Sequence, residues 1–180
     1  MATLDSAAAD LLAVSPARSR TANRLAWFYL VLALPLVVLF ATIMAPVQVA
    51  DEFNHAMRAD QISRGTLLER IGGVIDGGVA AFGHIFDGLY FHPENKVTVE
   101  MATRAGDIGF DLPDSEQNFQ NTAQYGPLLY VPDAIGIAIG KAAGWKVAHT
   151  LLLARILNGV ASALIAFAAL LIVRMTNRLS

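Results

Sequence analysis

The 180-residue chain has no cysteine, few charged residues and no excess of basic ones. The lack of cysteine excludes a disulfide framework, a thiolate metal site and a cysteine nucleophile. Charged residues make up 16% of the chain and hydrophobic residues 55%, whereas soluble domains carry roughly 25% charged residues. With 13 basic and 15 acidic residues the net charge is −2, so the chain offers no basic field for nucleic acid. This composition predicts a membrane protein.

Two long apolar segments account for the composition. The first, residues 25–45, contains no charged residue and would form roughly 31 Å of helix, the thickness of a hydrocarbon core. The second predicted span is residues 147–173, whose uncharged part begins after Arg155. A cleaved signal peptide is the alternative for residues 25–45. This segment is longer than the apolar region of a signal peptide, which has roughly 7–15 residues, and it follows a 24-residue leader.

The arginines predict how the spans are oriented. Arg18, Arg20 and Arg24 precede the first span, and Arg174 and Arg178 follow the second. Because positive residues favour the cytoplasmic side, both termini are expected in the cytoplasm. The expected order is a cytoplasmic tail, a span, an external loop, a span and a cytoplasmic end, at residues 1–24, 25–45, 46–146, 147–173 and 174–180.

A shorter apolar stretch, at about residues 128–143, carries Pro132, Asp133 and Lys141. Its length and charges favour a juxtamembrane or re-entrant helix over a third span. The expected fold class is therefore an all-α membrane protein, with two transmembrane helices flanking a long external loop that contains juxtamembrane helices.

The external loop holds 13 acidic and seven basic residues, so it is not a polybasic lipid-binding segment. Its first element is expected to be a juxtamembrane helix over about residues 51–63, with acidic residues at its start and Gly65 as terminator. Residues 66–88 suggest a second, imperfect helix, and residues 91–124 suggest turns or an irregular crossing.

Ionisable residues fall on one stripe of the first loop helix. At 100° per residue, Asp51, His55 and Arg58 lie within about 60° of each other. Asp51 could be catalytic or could be the N-cap of the helix, and His55 and Arg58 could form a solvated face. A divalent cation on Asp51, Glu52 and His55 is chemically compatible with these ligands, but one helix turn is weak evidence for a metal site.

Three segments together carry a family resemblance: ADEFNHAMRADQISRG, NFQNTAQYGPLLYVPDAIGIAIG and ARILNG. The residues that carry it are Asp51, Glu52, His55, Arg58, Gly65, Gly72, Gly73, Phe119, Asn121, Tyr125, Pro127, Tyr130, Pro132, Arg155 and Asn158. Across roughly residues 46–160 the chain resembles the bacterial family of uncharacterised predicted membrane proteins that is grouped with the C-type membrane glycosyltransferases (GT-C).

The resemblance implies a polytopic enzyme of the bacterial cytoplasmic (inner) membrane that transfers a sugar from a polyprenyl-phosphate donor to an acceptor on the outer face. Asp51 then corresponds to the catalytic carboxylate, which takes the proton of the acceptor hydroxyl, and Glu52 supports it. The implied substrate-binding residues are His55, Arg58, Tyr125, Tyr130 and Arg155. The two arginines would balance the donor phosphate, and the tyrosines would stack on a sugar or lie at the headgroup level.

Members of the family carry more spans than the two expected here. We therefore expect this chain to be the N-terminal portion of such an enzyme, inactive without the missing helices or a partner membrane subunit. The alternative is a noncatalytic membrane-anchored subunit whose acidic external loop docks a partner protein. A transporter fragment ranks last, because transporters pair broken helices in two repeats and one interrupted helix is visible here.

Overall fold

A computed structural model describes residues 16–69 and 71–176 of the chain, with side chains from residue 24 to residue 173 except residue 70. Most of the predicted tail (residues 1–15) and the last residues of the predicted cytoplasmic end (177–180) lie outside the described residues. The helices are α1 (Pro16–Ile43), α2 (Glu52–Ser63), α3 (Gly77–Ile85), α4 (Val99–Asp107), α5 (Gln120–Ala123), α6 (Val131–Ala142) and α7 (Val147–Thr176). Two strands, β1 (Gly72–Ile75) and β2 (Ser115–Asn118), and two 3₁₀ turns, Asp87–Leu89 and Pro127–Tyr130, complete the elements.

Helices α1 and α7 contain the two segments that are long and apolar enough to cross a membrane, Arg24–Ile43 and Val147–Val173. Only 11% and 6% of their most apolar windows are buried inside the protein. This exposure distinguishes them from the core helices of soluble proteins, which are mostly buried. Helix α1 begins at Pro16, so residues 16–24 of the predicted tail are helical.

The chain divides into two compact units, of which one comprises the parts of α1 and α7 within Met1–Val37 and Gly159–Ser180. In this unit the rings of Trp27 and Phe167 lie 5.1 Å apart. Near the other end of the pair, a Cβ atom on Gly159 would lie 2.5 Å from Cγ1 of Val37. The two helices therefore run antiparallel, and glycine allows their close approach.

The second unit, Val38–Asn158, contains the loop between the long helices. It is not all-α as expected, because β1 and β2 form a two-stranded antiparallel sheet. Gly72 pairs with Asn118, and a Cβ on Gly72 would lie 2.2 Å from the carbonyl oxygen of Gln117. With φ values of +147° and +141°, Gly72 and Gly73 adopt a backbone that side chains disfavour. Only glycine fits this strand pairing.

Two further expectations for the loop were wrong. Residues 66–88 do not form one imperfect helix, because the segment contains strand β1 followed by helix α3. Helix α3 begins after Asp76, whose side chain caps it by accepting a hydrogen bond from the Gly78 amide. Residues 91–124 are not irregular throughout, because they contain α4, β2 and α5. Helix α4 begins after Thr98, whose hydroxyl accepts from the Met101 amide over 3.1 Å.

The apolar core of this unit lies between α2, α3, the sheet and the first turn of α7. Its largest buried side chains include Phe86, Phe119, Ile75 and Leu89. A smaller cluster joins Ala59 of α2 to Tyr130, Ile137 and Ala154. These contacts fix α2, which begins directly after Asp51, against the rest of the loop.

Candidate functional site

Asp51 lies between α1 and α2, at the N-cap position of α2. Its side chain makes no capping hydrogen bond, so the N-cap alternative does not account for it. Instead, its Oδ1 atom accepts hydrogen bonds from the Asn121 amide (2.8 Å), the Tyr90 hydroxyl (3.2 Å) and the Asn54 amide (3.4 Å). Three donors from three different segments therefore fix one oxygen of the carboxylate, and no donor among the described residues bonds Oδ2.

The backbone around this carboxylate is strained. Asp51 has a left-handed φ of 58°, and so do Val47 (64°) and Phe91 (58°), none of which is glycine. A left-handed β-branched residue such as Val47 is a genuine outlier. Each such residue costs on the order of 1–3 kcal/mol and persists where the surroundings over-determine it, often at functional sites. Val47 is held by its amide, which donates to Glu52 Oε2 over 3.0 Å.

Asp51 and Val47 line a cavity of about 230 Å³. This volume is below the roughly 300–1,000 Å³ of drug-sized ligand pockets, so it suits a ligand smaller than those or one part of a larger ligand. Its polar lining combines three side-chain amides, two carboxylates, a phenol and an imidazole, and its apolar lining includes Phe53 and Met57. The remaining lining residues are Asn54, His84, Asp87, Tyr90, Gln117 and Asn118.

Glu52 and Arg155 form an ion pair that ties α2 to α7. Arg155 Nε donates to Glu52 Oε1 over 2.5 Å, and Nη2 also pairs with this oxygen. The two Nη atoms further donate to the carbonyls of Ala41 (3.3 Å), Met44 (3.0 Å) and Ala45 (3.4 Å). Ala41 lies in the last turn of α1, and Met44 and Ala45 directly follow its end, where a cation is favourable.

These contacts bear on two predicted roles. All three guanidinium nitrogens of Arg155 are engaged by protein acceptors, which supports a structural role and not the predicted phosphate contact. Glu52 makes no hydrogen bond to the Asp51 side chain. Its Oε2 atom instead accepts a hydrogen bond from the Val47 amide, at the start of the strained Val47–Asp51 turn.

Arg58 is buried, with 1% of its surface exposed. Its Nη1 atom donates to Gln61 Oε1 (3.1 Å) and the Thr66 carbonyl (3.3 Å), and Nη2 donates to the carbonyls of Leu67 (2.7 Å) and Tyr125 (3.3 Å). Burial lowers the pKa of this guanidinium below its usual value, and the nearby Tyr130 and Glu69 oppose the shift. Arg58 therefore joins two loop segments through buried hydrogen bonds, and its contact with the donor phosphate stays a prediction.

His55, one helical turn after Asp51, comes together with Tyr125 and Tyr130. The His55 amide donates to the Asp51 carbonyl over 2.9 Å, and His55 Nδ1 lies 2.9 Å from the Tyr130 hydroxyl. The His55 ring centroid lies 5.8 Å from that of Tyr130 and 6.4 Å from that of Tyr125. Burial raises the pKa of Tyr130 to about 12, so it stays a neutral phenol. His55 and Tyr125 are exposed, which leaves both rings accessible.

The structure does not bring the suggested cation ligands together. Asp51, Glu52 and His55 bond to Asn121, Arg155 and Tyr130, respectively. Within residues 16–69 and 71–176, no group of three His, Asp or Glu side chains is placed to hold a metal ion.

Sequence reasoning missed the residues that position Asp51. Tyr90 is 39 residues away in the chain, and Asn121 is 70 residues away, so no local pattern links them to Asp51. Asn54 is nearer, three residues along, and an Asp–Asn pair at this spacing is the one local signal. His84 and Asp87, whose side chains pair over 2.9 Å, also line the cavity unpredicted.

A buried ion cluster, also missed, stabilises α2 from the other side. Lys141 Nζ lies 2.8 Å from Asp60 Oδ1 and 3.1 Å from Asp76 Oδ2. The other Asp60 oxygen accepts from the Asp76 amide over 2.9 Å. Because the Asp60 side chain is fully buried, its charge depends on these partners. The cluster joins α2, α6 and the start of α3.

A family model described as "Predicted membrane protein (DUF2142)" matches residues 34–179. No curated protein matches the chain. No solved structure matches it.

Proposed function

The chain belongs to the DUF2142 family of predicted membrane proteins, and we propose that its loop carries the catalytic face of a GT-C-type sugar transferase. The enzyme would use a polyprenyl-phosphate sugar as donor and would act together with further membrane helices, from the same polypeptide or a partner subunit. The observation that carries the proposal is the Asp51 carboxylate, which lies at a polar cavity on a strained left-handed residue, with one oxygen fixed by three donors.

The chemistry that this carboxylate could perform is general base catalysis. The acceptor hydroxyl attacks C1 of the donor sugar and forms the new C1–O bond, while the C1–O bond to the phosphate breaks. Asp51 takes the hydroxyl proton, and the polyprenyl phosphate leaves with the bonding electron pair. Hydrogen bonds from Asn121, Tyr90 and Asn54 to Oδ1 keep the carboxylate in one orientation, so Oδ2 is the oxygen for the proton.

The cavity beside Asp51 is compatible with one sugar ring. Side-chain amides of Asn54, Gln117 and Asn118 provide paired donors and acceptors for hydroxyl groups. The exposed rings of His55 and Tyr125, which are not part of the cavity lining, offer a separate stacking surface. Three charged residues act as positioning residues for this site: Arg58, Glu52 and Arg155. Their side chains bind the segments that hold Asp51 and the cavity in place.

We also propose that both termini lie in the cytoplasm and the loop on the outer face of the bacterial inner membrane. The distribution of arginines at the two outer ends of the spans supports this orientation. Since the chain lacks cysteine, an E100C variant in intact cells tests it. A membrane-impermeant maleimide should label this position without cell lysis, and labelling that requires lysis would contradict the orientation.

The catalytic assignment is tested with an Asp51→Asn variant in the native membrane. Asparagine tolerates left-handed backbone and still accepts hydrogen bonds, so the turn should persist while the base is lost. The measurement is mass spectrometry of the cell-envelope glycans and polyprenyl-phosphate sugars in a deletion strain that carries each variant. We expect the Asp51→Asn strain to lose one sugar from a glycan and accumulate the donor, as the deletion does.

The matched control is Asp114→Asn, which removes an exposed carboxylate that pairs with Arg64 and is not part of the cavity. This strain should keep the wild-type glycans. Wild-type glycans in the Asp51→Asn strain would exclude the catalytic role and favour the noncatalytic subunit. Wild-type glycans in the deletion strain would exclude sugar transfer altogether.

A further inference from the structure

A second polar pair, His84 and Asp87, shares the cavity with Asp51. His84 Nδ1 lies 2.9 Å from Asp87 Oδ2, and both side chains line the cavity. A carboxylate at one imidazole nitrogen fixes the orientation of the ring and leaves the other nitrogen for a ligand. Among the described residues, no side chain bonds His84 Nε2, and about half of the His84 side chain (52%) is exposed. The pair therefore offers one oriented and accessible hydrogen-bonding atom.

Packing against helix α2 fixes the position of this pair. His84 lies in the last turn of α3, and Asp87 begins the 3₁₀ turn that follows. Between them, Phe86 is only 2% exposed and anchors the segment in the apolar core. A Cβ on Gly83 would overlap the Phe53 ring, so glycine lets this ring of α2 lie against α3. The Phe53 ring then meets the His84 ring edge-on, with the two centroids 5.7 Å apart.

The same short segment also holds Asp51. Tyr90 follows Asp87 by three residues, lines the cavity and donates to Asp51 Oδ1 over 3.2 Å. Residues 84–90 therefore contribute an oriented imidazole, its carboxylate partner and a donor to Asp51. Two atoms then lack a hydrogen-bond partner among the described residues, Asp51 Oδ2 and His84 Nε2. Both belong to side chains that line one cavity, so one ligand can reach both.

The charge of the cavity indicates which class of ligand it binds. Its lining contains two carboxylates and one imidazole, and no lysine or arginine of the described part of the chain lines it. A phosphate is bound by cationic donors and would be repelled by two carboxylates. Hydroxyl groups, in contrast, donate to carboxylates and to imidazole nitrogen and accept from side-chain amides. The lining therefore favours an uncharged ligand rich in hydroxyl groups over an anion.

We propose, on the basis of the proposed function, that this cavity binds the acceptor, an uncharged sugar unit, with His84 Nε2 and Asp51 Oδ2 as the two anchors for its hydroxyl groups. A direct displacement at C1 places the attacking hydroxyl and the leaving phosphate on opposite sides of the carbon. The base at Asp51 therefore belongs to the acceptor side, and the donor phosphate binds outside the cavity. Asp87 is a positioning residue, because it acts by orienting His84.

The first test measures the charge of the cavity and does not depend on activity. Because the chain has no cysteine, Asn118→Cys places a single thiol at an exposed position of the cavity lining. The full chain in neutral detergent micelles is reacted with a trimethylammonium and with a sulfonate methanethiosulfonate reagent. The ratio of the two rates, divided by the same ratio for a free thiol, reports the electrostatic potential at the cavity.

We expect the cationic reagent to be favoured several-fold at position 118. Adding Asp87→Asn should lower this preference, whereas adding Asp114→Asn should not, because Asp114 is not part of the cavity. A preference for the anionic reagent would mean that the cavity suits a phosphate and would overturn the proposal. A ratio that Asp87→Asn leaves unchanged would overturn it as well.

The second test asks whether His84 binds the acceptor, by glycan mass spectrometry of the deletion strain carrying His84→Leu or His84→Gln. Leucine has no hydrogen-bonding atom, whereas the glutamine amide can replace the imidazole nitrogen. We expect His84→Leu to lower the amount of transferred sugar several-fold and to accumulate the donor, and His84→Gln to restore much of the transfer. Circular dichroism of both purified variants checks that their helix content is unchanged.

The outcomes separate this inference from the proposed function. Wild-type glycans in the His84→Leu strain, together with loss of the sugar in the Asp51→Asn strain, would overturn the role of His84 and leave the proposed function standing. Equal losses in the leucine and glutamine variants would show that hydrogen bonding at this position is not what matters, and would also overturn it. Wild-type glycans in the deletion strain would exclude the proposed function itself, and the acceptor site with it.

Discussion

Replacing Arg58 tests whether its guanidinium holds two loop segments together or binds the phosphate of the sugar donor. The guanidinium is 1% exposed and donates to the carbonyls of Thr66, Leu67 and Tyr125 and to Gln61. Methionine has a similar length but no donor, so Arg58→Met leaves these acceptors without their partner. If Arg58 instead served a phosphate, the same change would impair activity and leave stability nearly intact.

The expected loss of stability follows from the four acceptors. Leaving a buried acceptor unsatisfied costs roughly 1–3 kcal/mol. Two effects reduce this loss of stability. The Arg58→Met variant no longer has to bury a charged guanidinium, and that burial is what lowers the pKa of Arg58. Water also reaches the partly buried carbonyls and replaces part of the lost hydrogen bonding. The net loss should therefore be about 3–4 kcal/mol, close to the effect of removing one partner of a buried ion pair. Arg58→Lys should lose most of this too, because an ammonium cannot reproduce the planar fork.

The assay is SDS-driven unfolding of the full chain in mixed micelles, followed by tryptophan fluorescence. Arg64→Met, at the C-cap of the same helix, is the control, because Arg64 is partly exposed, pairs with the exposed Asp114, and lies at the 4.0 Å limit of an ion pair with the buried Asp60. An exposed pair of this kind contributes about 0–1 kcal/mol. If Arg58→Met costs no more than Arg64→Met, the Arg58 guanidinium does not hold the Thr66–Leu67 and Tyr125 segments together.

Two further predictions concern α6. Burial raises the pKa of Asp133 to about 7. Because the folded state binds this proton more tightly than the unfolded state, the free energy of unfolding should fall as the pH rises from 4 to 7. The fall should be at most about 4 kcal/mol. Asp133→Asn should flatten this pH dependence and stabilise the chain at pH 8 in the same SDS assay; an unchanged slope would contradict the buried placement. A Cβ on Gly136 would meet the Ala154 backbone at 2.6 Å, so Gly136→Val should cost about 1–3 kcal/mol. Gly106→Ala, where the added Cβ meets open space, should be neutral or slightly stabilising, and equal effects of the two would refute the tight packing.

The two candidate membrane-spanning helices could be predicted from the sequence because their signal is local. Residues 25–45 lack charge over the length of a bilayer, and the structure has a spanning candidate at Arg24–Ile43. The first loop helix was also predictable, since its start and stop signals are local. It runs from Glu52 to Ser63 and is followed by Gly65 with a φ of +90°.

The small sheet could not be predicted in the same way. Its strands are four residues each and lie about 40 residues apart, and β1 begins with two glycines, which weaken any strand pattern. The four-residue spacing of Gly136 and Gly140 is a local sequence signal for close helix packing. The structure gives both glycines a contact with α7.

Sequence alone determined that the chain has two apolar segments of bilayer length and an acidic residue at the start of the loop between them, because hydrophobicity and charge are properties of neighbouring residues. Only the tertiary structure decided what each charged residue does. Asp51 meets Tyr90 and Asn121, whereas Arg58 and Arg155 are occupied by backbone carbonyls. A buried charged group needs hydrogen-bonding partners, and the fold supplies them from residues that are distant in the sequence.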